Sequence, residues 1–162
     1  MNILEKIENI VKKLTEKNKL ITIAESCTGG YISHMITNIS GSSKIFERGV
    51  ISYSNQSKSD ILKVDPNIIA KHGAVSEEVA KQMAEGIRKN SEVCDLGIGI
   101  TGIAGPKGGT PNKPVGLVYI GYSTVKETIV KKYNFKADRI RFKELVLEEV
   151  IKYLETYINQ II

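Results

Sequence analysis

The stretch "LITIAESCTGGYISHMITNI", residues 20–39, reads as a strand, a polar turn and a helix in succession. Leu20–Ala24 is a short uncharged run that suits a buried strand, and the polar turn "ESCTGG" interrupts it at residues 25–30. Residues 29–39 then read as a helix, closed by the turn-rich "SGSS" at 40–43. A strand that feeds directly into a helix is the unit from which α/β folds are assembled.

Working outward, Ile3, Ile7, Ile10, Val11 and Leu14 recur at helical spacing and predict a first helix over 3–17. Downstream, "FERGVISY" at 46–53 predicts a second strand, 54–62 a helix, and 66–71 a short helical turn. Ser76 followed by Glu77 and Glu78 is a helix start, and the helix runs through Val79, Ala80, Met83 and Ile87 to about residue 90. "LGIGI" at 96–100 is a strand of small residues, followed by a loop rich in Gly and Pro over 101–116. Strands near 117–123 and 128–135 are set to pair antiparallel through a turn at Lys126. Asp138 can cap a last helix carrying Ile140, Leu147, Val150, Ile151, Leu154 and Ile158. Early alternation of helix and strand, closed by a hairpin, predicts an α/β fold with helices on both faces of a mixed, partly parallel sheet.

A chain of 162 residues suits one domain spanning 1–162. With 41% hydrophobic and 25% charged residues it is composed like a soluble globular protein. No run approaches the roughly 18 apolar residues of a membrane span. The N-terminus mixes charged and apolar residues on a helical period rather than forming a secretory core, so a cytoplasmic protein without membrane contact is expected. The formal net charge of +5 invites a nucleic-acid partner. Against it, Lys12, Lys13 and Lys17 stand among Glu5, Glu8 and Glu16, as on a solvated helix face, so no nucleic acid is expected. Cys27 and Cys94 form no paired motif, and His34 and His72 have no neighbour at ligand spacing, so neither a metal nor another cofactor is expected.

Ser26 at a strand-to-helix turn has two readings. Amides converging at the helix start favour negative charge and could cradle a phosphate or an oxyanion; alternatively the serine caps the helix. A nucleophilic serine needs a base. His34 lies two turns into the helix and His72 in a connector, which leaves Lys58, with Tyr53 on the same stretch, as the alternative that Ser-Lys enzymes use. Thr101 and Gly102 follow an apolar strand and would share the edge of Ser26 if the two strands run parallel.

Four stretches together resemble one family: "TIAESCTGG" at 22–30, "GSSKIFERGVISYSNQSK" at 41–58, "HGAVSEEVA" at 72–80 and "GITGIAGPKGGTPNKPVG" at 99–116. They are similar, in order and spacing, to the C-terminal domain of the CinA proteins, which also occurs as a stand-alone nicotinamide-nucleotide amidase. The resemblance implies a three-layer α/β/α domain that hydrolyses the carboxamide of nicotinamide mononucleotide to nicotinate mononucleotide and ammonia, and domains that self-associate. It implies Ser26 as nucleophile, Lys58 as its general base and Tyr53 as an aid to proton transfer. Thr28, Gly29, Gly30, Asn55, Thr101 and Gly102 are expected to line the substrate pocket, and Arg139 and Lys143 to meet the phosphate. One departure stands in "ADRIRFK", where Ala137 replaces a family glycine and Lys143 a second arginine, with Arg141 displaced by half a turn. The alternative expectation is a catalytically silent nucleotide-binding module linked to competence.

Overall fold

The computed structural model describes residues 1–161. Ile21–Glu25 (β1) is hydrogen-bonded on both sides to parallel neighbours, Phe46–Ile51 (β2) and Leu96–Gly102 (β3). Leu117–Ser123 (β4) and Thr128–Asn134 (β5) continue the sheet antiparallel, in the order β2-β1-β3-β4-β5. The sheet is therefore mixed, as expected.

Three helices cover one face: Ile3–Glu16 (α1), Tyr31–Thr37 (α2) and Arg139–Gln160 (α6). Their apolar stripes meet Ile21 and Ile23 of β1 and Leu96, Ile98 and Ile100 of β3 in the larger core. On the other face lie Asn55–Leu62 (α3), Pro66–His72 (α4) and Glu77–Lys89 (α5). There Ala24 packs with Leu62, Val64, Val79, Met83 and Ile87. The result is a three-layer α/β/α sandwich.

"LGIGI" explains why the second layer sits so close. Its Leu and Ile side chains all point to the larger core, so β3 offers α5 only Gly97 and Gly99. A Cβ at either glycine would run into the Ala84 backbone, and one at Gly121 of β4 would lie 2.5 Å from the Ala80 carbonyl. Helix and sheet meet backbone to backbone.

Element bounds differ from the sequence reading in three informative places. β2 ends at Ile51 because residues 52–54 turn away to start α3, which Ser54 caps by accepting from the Ser57 N–H. α2 starts only at Tyr31, after Gly29 and Gly30 at φ 60° and 96°. β3 runs on to Gly102, because Thr101 and Gly102 pair with Tyr119 and Val118; the loop is correspondingly shorter. Chain paths out of β1 and β3 diverge, one through α2 to β2 and the other to β4. This is the crevice geometry in which open α/β sheets bind ligands. Among the described residues no helix is long and apolar enough to cross a membrane.

Candidate active site

β1 stops at Glu25, and Ser26 opens the turn with its N–H still donating to the Ile100 carbonyl of β3 at 3.1 Å. The nucleophile candidate is thus pinned to the sheet by its backbone. One strand over, the Ser52 N–H donates to the Glu25 carbonyl at 2.8 Å. Ile51 lies over Gly30 on the α2 side.

Lys58, the fourth residue of α3, points back into the protein and is 1% exposed. Its Nζ lies 3.0 Å from Ser26 Oγ, 2.9 Å from the Ser52 carbonyl and 3.3 Å from the Tyr53 carbonyl. Among the described residues no carboxylate pairs with it. Burial holds the amine below the ordinary lysine value of 10.5. The surroundings also fix its direction. As an ammonium it donates to all three oxygens. As a neutral amine it keeps two N–H groups, which the two carbonyls can only accept, and its lone pair is left facing the Ser26 hydroxyl.

Glu25 carries the turn. It is fully buried, and its Oε2 accepts from the Thr28 hydroxyl at 2.5 Å, the Gly30 N–H at 3.0 Å and the Ile32 N–H at 3.2 Å. Oε1 accepts from the Ser33 N–H and hydroxyl, both at 2.8 Å. The first residue before α2 is Gly30, which has no side chain to cap it, so Glu25 caps the helix from the strand. Ser26 is not the helix cap, and the amides at the start of α2 are engaged by this internal carboxylate. The amides of Cys27 and Thr28, one step earlier, donate to no other residue among those described. Cys27 itself is buried, with its thiol pushed up to about 12 by burial first and the Glu25 charge second. It packs as a protonated neighbour.

The remaining expected positions divide. Lys143, from the first turns of α6, brings its ammonium to the turn, and a Cβ on Gly29 would lie 3.7 Å from it. It makes no ion pair among the described residues. Arg139, one helical turn earlier, donates to the Gly105 carbonyl at 2.8 Å and to the Tyr53 hydroxyl at 3.0 Å, bridging the loop and the β2–α3 junction. Tyr53 is 60% exposed; its carbonyl reaches Lys58 while its hydroxyl goes to Arg139. Beside this bridge, Ala104, Pro106, Val115 and Ile140 border a largely apolar groove of about 550 Å³. Asn55 stands exposed at the rim.

Thr28 and Thr101 turn their hydroxyls inward, the first to Glu25 and the second to the Ala74 carbonyl at 2.8 Å. Gly102 lets β4 approach, since a Cβ there would lie 2.7 Å from the Leu117 carbonyl. These three shape the crevice from behind. Arg141 faces away, bonded to Glu144 and Glu148. His34 bonds Asn38 on α2, and His72 sits 3.5 Å from Glu78, so neither histidine partners Ser26. Sequence reasoning gave no role to Glu25 or Ser52. For Glu25 the available signal was a carboxylate placed directly after an apolar strand.

The family model for the CinA C-terminal domain matches residues 4–158. The chain belongs to this family. A Thermoanaerobacter sp. (strain X514) protein with a competence-damage inducible name is 46% identical over 155 residues, which are 95% of this chain and 37% of that protein. A CinA-like protein of Syntrophotalea carbinolica is 44% identical over 153 residues, 94% of this chain and 37% of its own length. The chain thus spans little more than a third of these curated relatives. Among solved structures, the competence/damage inducible protein CihA from Agrobacterium tumefaciens superposes with a TM-score of 0.92 at 33% identity, covering 98% of this chain and 96% of that one. A CinA superfamily protein from Klebsiella pneumoniae gives the same TM-score at 26% identity, covering 98% and 99%.

Proposed function

We propose that this CinA C-terminal domain is an amidohydrolase that converts nicotinamide mononucleotide to nicotinate mononucleotide and ammonia. The observation that carries the reading is the 3.0 Å approach of a buried, carboxylate-free lysine amine to the hydroxyl of Ser26. Neutral Lys58 takes the Ser26 proton as Oγ attacks the carboxamide carbon. The carbonyl oxygen becomes an oxyanion facing the Cys27 and Thr28 amides. Lys58 then returns the proton to the departing nitrogen, the C–N bond breaks, and ammonia leaves an acyl-serine. Water, deprotonated by the same amine, releases the acid and restores Ser26.

The basic side supports an anionic substrate. Lys143 offers an unpaired ammonium at the turn, and Arg139 retains N–H groups beyond the two bonds it makes. A lysine in place of an arginine gives a point charge rather than a fork, so orientation of the phosphate falls more to Arg139. The groove beside Arg139 has room for the part of the substrate that does not react. A silent binding module has little use for a buried lysine without a counter-ion, because burying it costs stability that binding does not require.

The test is ammonia release from nicotinamide mononucleotide, its riboside and free nicotinamide, with and without chelator. The mononucleotide is the expected substrate, insensitive to chelator, and Ser26→Ala or Lys58→Ala lowers the rate about 1000-fold or more with the fold retained by circular dichroism. Near wild-type turnover by Lys58→Ala overturns the mechanism.

A further inference from the structure

Ser52 is fully buried, and its hydroxyl has no hydrogen-bond partner. Unpartnered buried hydroxyls are uncommon and call for an explanation. This one belongs to the residue whose carbonyl accepts from Lys58 Nζ at 2.9 Å, where β2 gives way to α3 beside Ser26. A free acceptor on this residue has a use during turnover. Before the reaction the three oxygens around Nζ satisfy the ammonium completely. Once Ser26 Oγ is bonded to the tetrahedral carbon it is an ether-type oxygen that has lost its proton and is a weaker acceptor. The lysine has just gained the serine's proton and lacks a third acceptor.

We infer that the Ser52 hydroxyl is a positioning residue of the dyad, accepting the third N–H of the Lys58 ammonium in the tetrahedral state, before ammonia departs. The proton count closes. One proton leaves Ser26 Oγ for Lys58 Nζ, is held against Ser52 Oγ, and passes to the leaving nitrogen; two N–H groups stay on the Ser52 and Tyr53 carbonyls throughout. Among the described residues the only other buried side-chain oxygen without a partner is that of Tyr122, on β4 in the larger core. The titratable groups around the amine are the Cys27 thiol at the turn, Lys143 beyond Gly29, and Glu25, whose carboxylate is engaged on the opposite face of β1. From α5, Val79, Met83 and Ile87 pack against the Leu62 side of α3 and bring no charge.

The inference rests on the Ser-Lys reading, and its test needs no substrate, so a wrong substrate and a wrong role for Ser52 are told apart. The readout is the Lys58 ¹³Cε resonance followed against pH. With Ser26 present the ammonium already has three acceptors, so Ser52→Ala alone moves the midpoint little. In the Ser26→Ala background, which imitates loss of the serine acceptor, Ser52 is the remaining third acceptor. There, adding Ser52→Ala lowers the midpoint by about one pH unit. The Ser26→Gly background gives the same comparison if the alanine double variant folds poorly. Equal midpoints with and without Ser52 in a Ser26-deficient background overturn the inference.

Discussion

Lys58 brings an amine into a site where one serine hydroxyl and two carbonyls meet it, and burial holds that amine below 10.5. Between its lowered folded value and 10.5 the unfolded chain binds more protons than the folded one, so raising pH favours folding across that window. Wild type is therefore expected to gain stability relative to Lys58→Met as pH climbs towards 10.5, read by urea unfolding at stepped pH; a difference flat in pH contradicts a depressed amine. Glu25 makes a second residue-level claim. Glu25→Gln replaces an acceptor oxygen with an NH₂ group that cannot take its two or three bonds, leaving amides of α2 or the Thr28 or Ser33 hydroxyl unsatisfied. The expected loss is about 2 to 4 kcal/mol in urea unfolding, with retention of wild-type stability contradicting the role. Of these residues, Ser26 and Lys58 were singled out in the sequence by the strand-to-helix turn and by the family resemblance, and the fold brings them within 3.0 Å. Glu25 and Ser52 were not, because a carboxylate or hydroxyl that bonds inward looks in sequence like any polar residue in a turn.

At the scale of elements, the sheet's second layer depends on glycines that have no side chain where α5 crosses. Gly99→Ala forces a methyl into the Ala84 backbone, and α5 must move away from β3 and β4. Overpacking of this kind costs about 1 to 3 kcal/mol, a fall in melting temperature of a few degrees for a chain of this size; an unchanged melting temperature contradicts the backbone-to-backbone contact. Most elements were legible, since apolar periodicity and capping residues such as Asp138 state them locally: its side chain accepts from the Arg141 N–H as a helix cap should. Boundaries were less so. Whether Thr101 and Gly102 are strand or loop depends on β4 arriving beside them, and whether 52–54 continue β2 depends on the turn into α3. Those are tertiary facts, and a local pattern does not carry them.

For the whole molecule, topology decides what the residues can do together. Parallel pairing of β1 with β2 and β3 gathers three carboxyl ends at one edge, and α3 and α6 each lay a cationic side chain over it from opposite layers. Lys58 arrives buried against Ser26, and Lys143 arrives beside Gly29 with no ion pair among the described residues. Ser26 should owe its reactivity to Lys58, and intact-mass kinetics of labelling by a small fluorophosphonate across pH 6 to 11 measures that dependence without assuming a substrate. A single adduct on Ser26 is expected, with a rate in wild type that rises with a midpoint below 10.5 and labelling of Lys58→Ala slower by about 100-fold or more. Equal labelling of Lys58→Ala, or an adduct on Cys27 in place of Ser26, would contradict it.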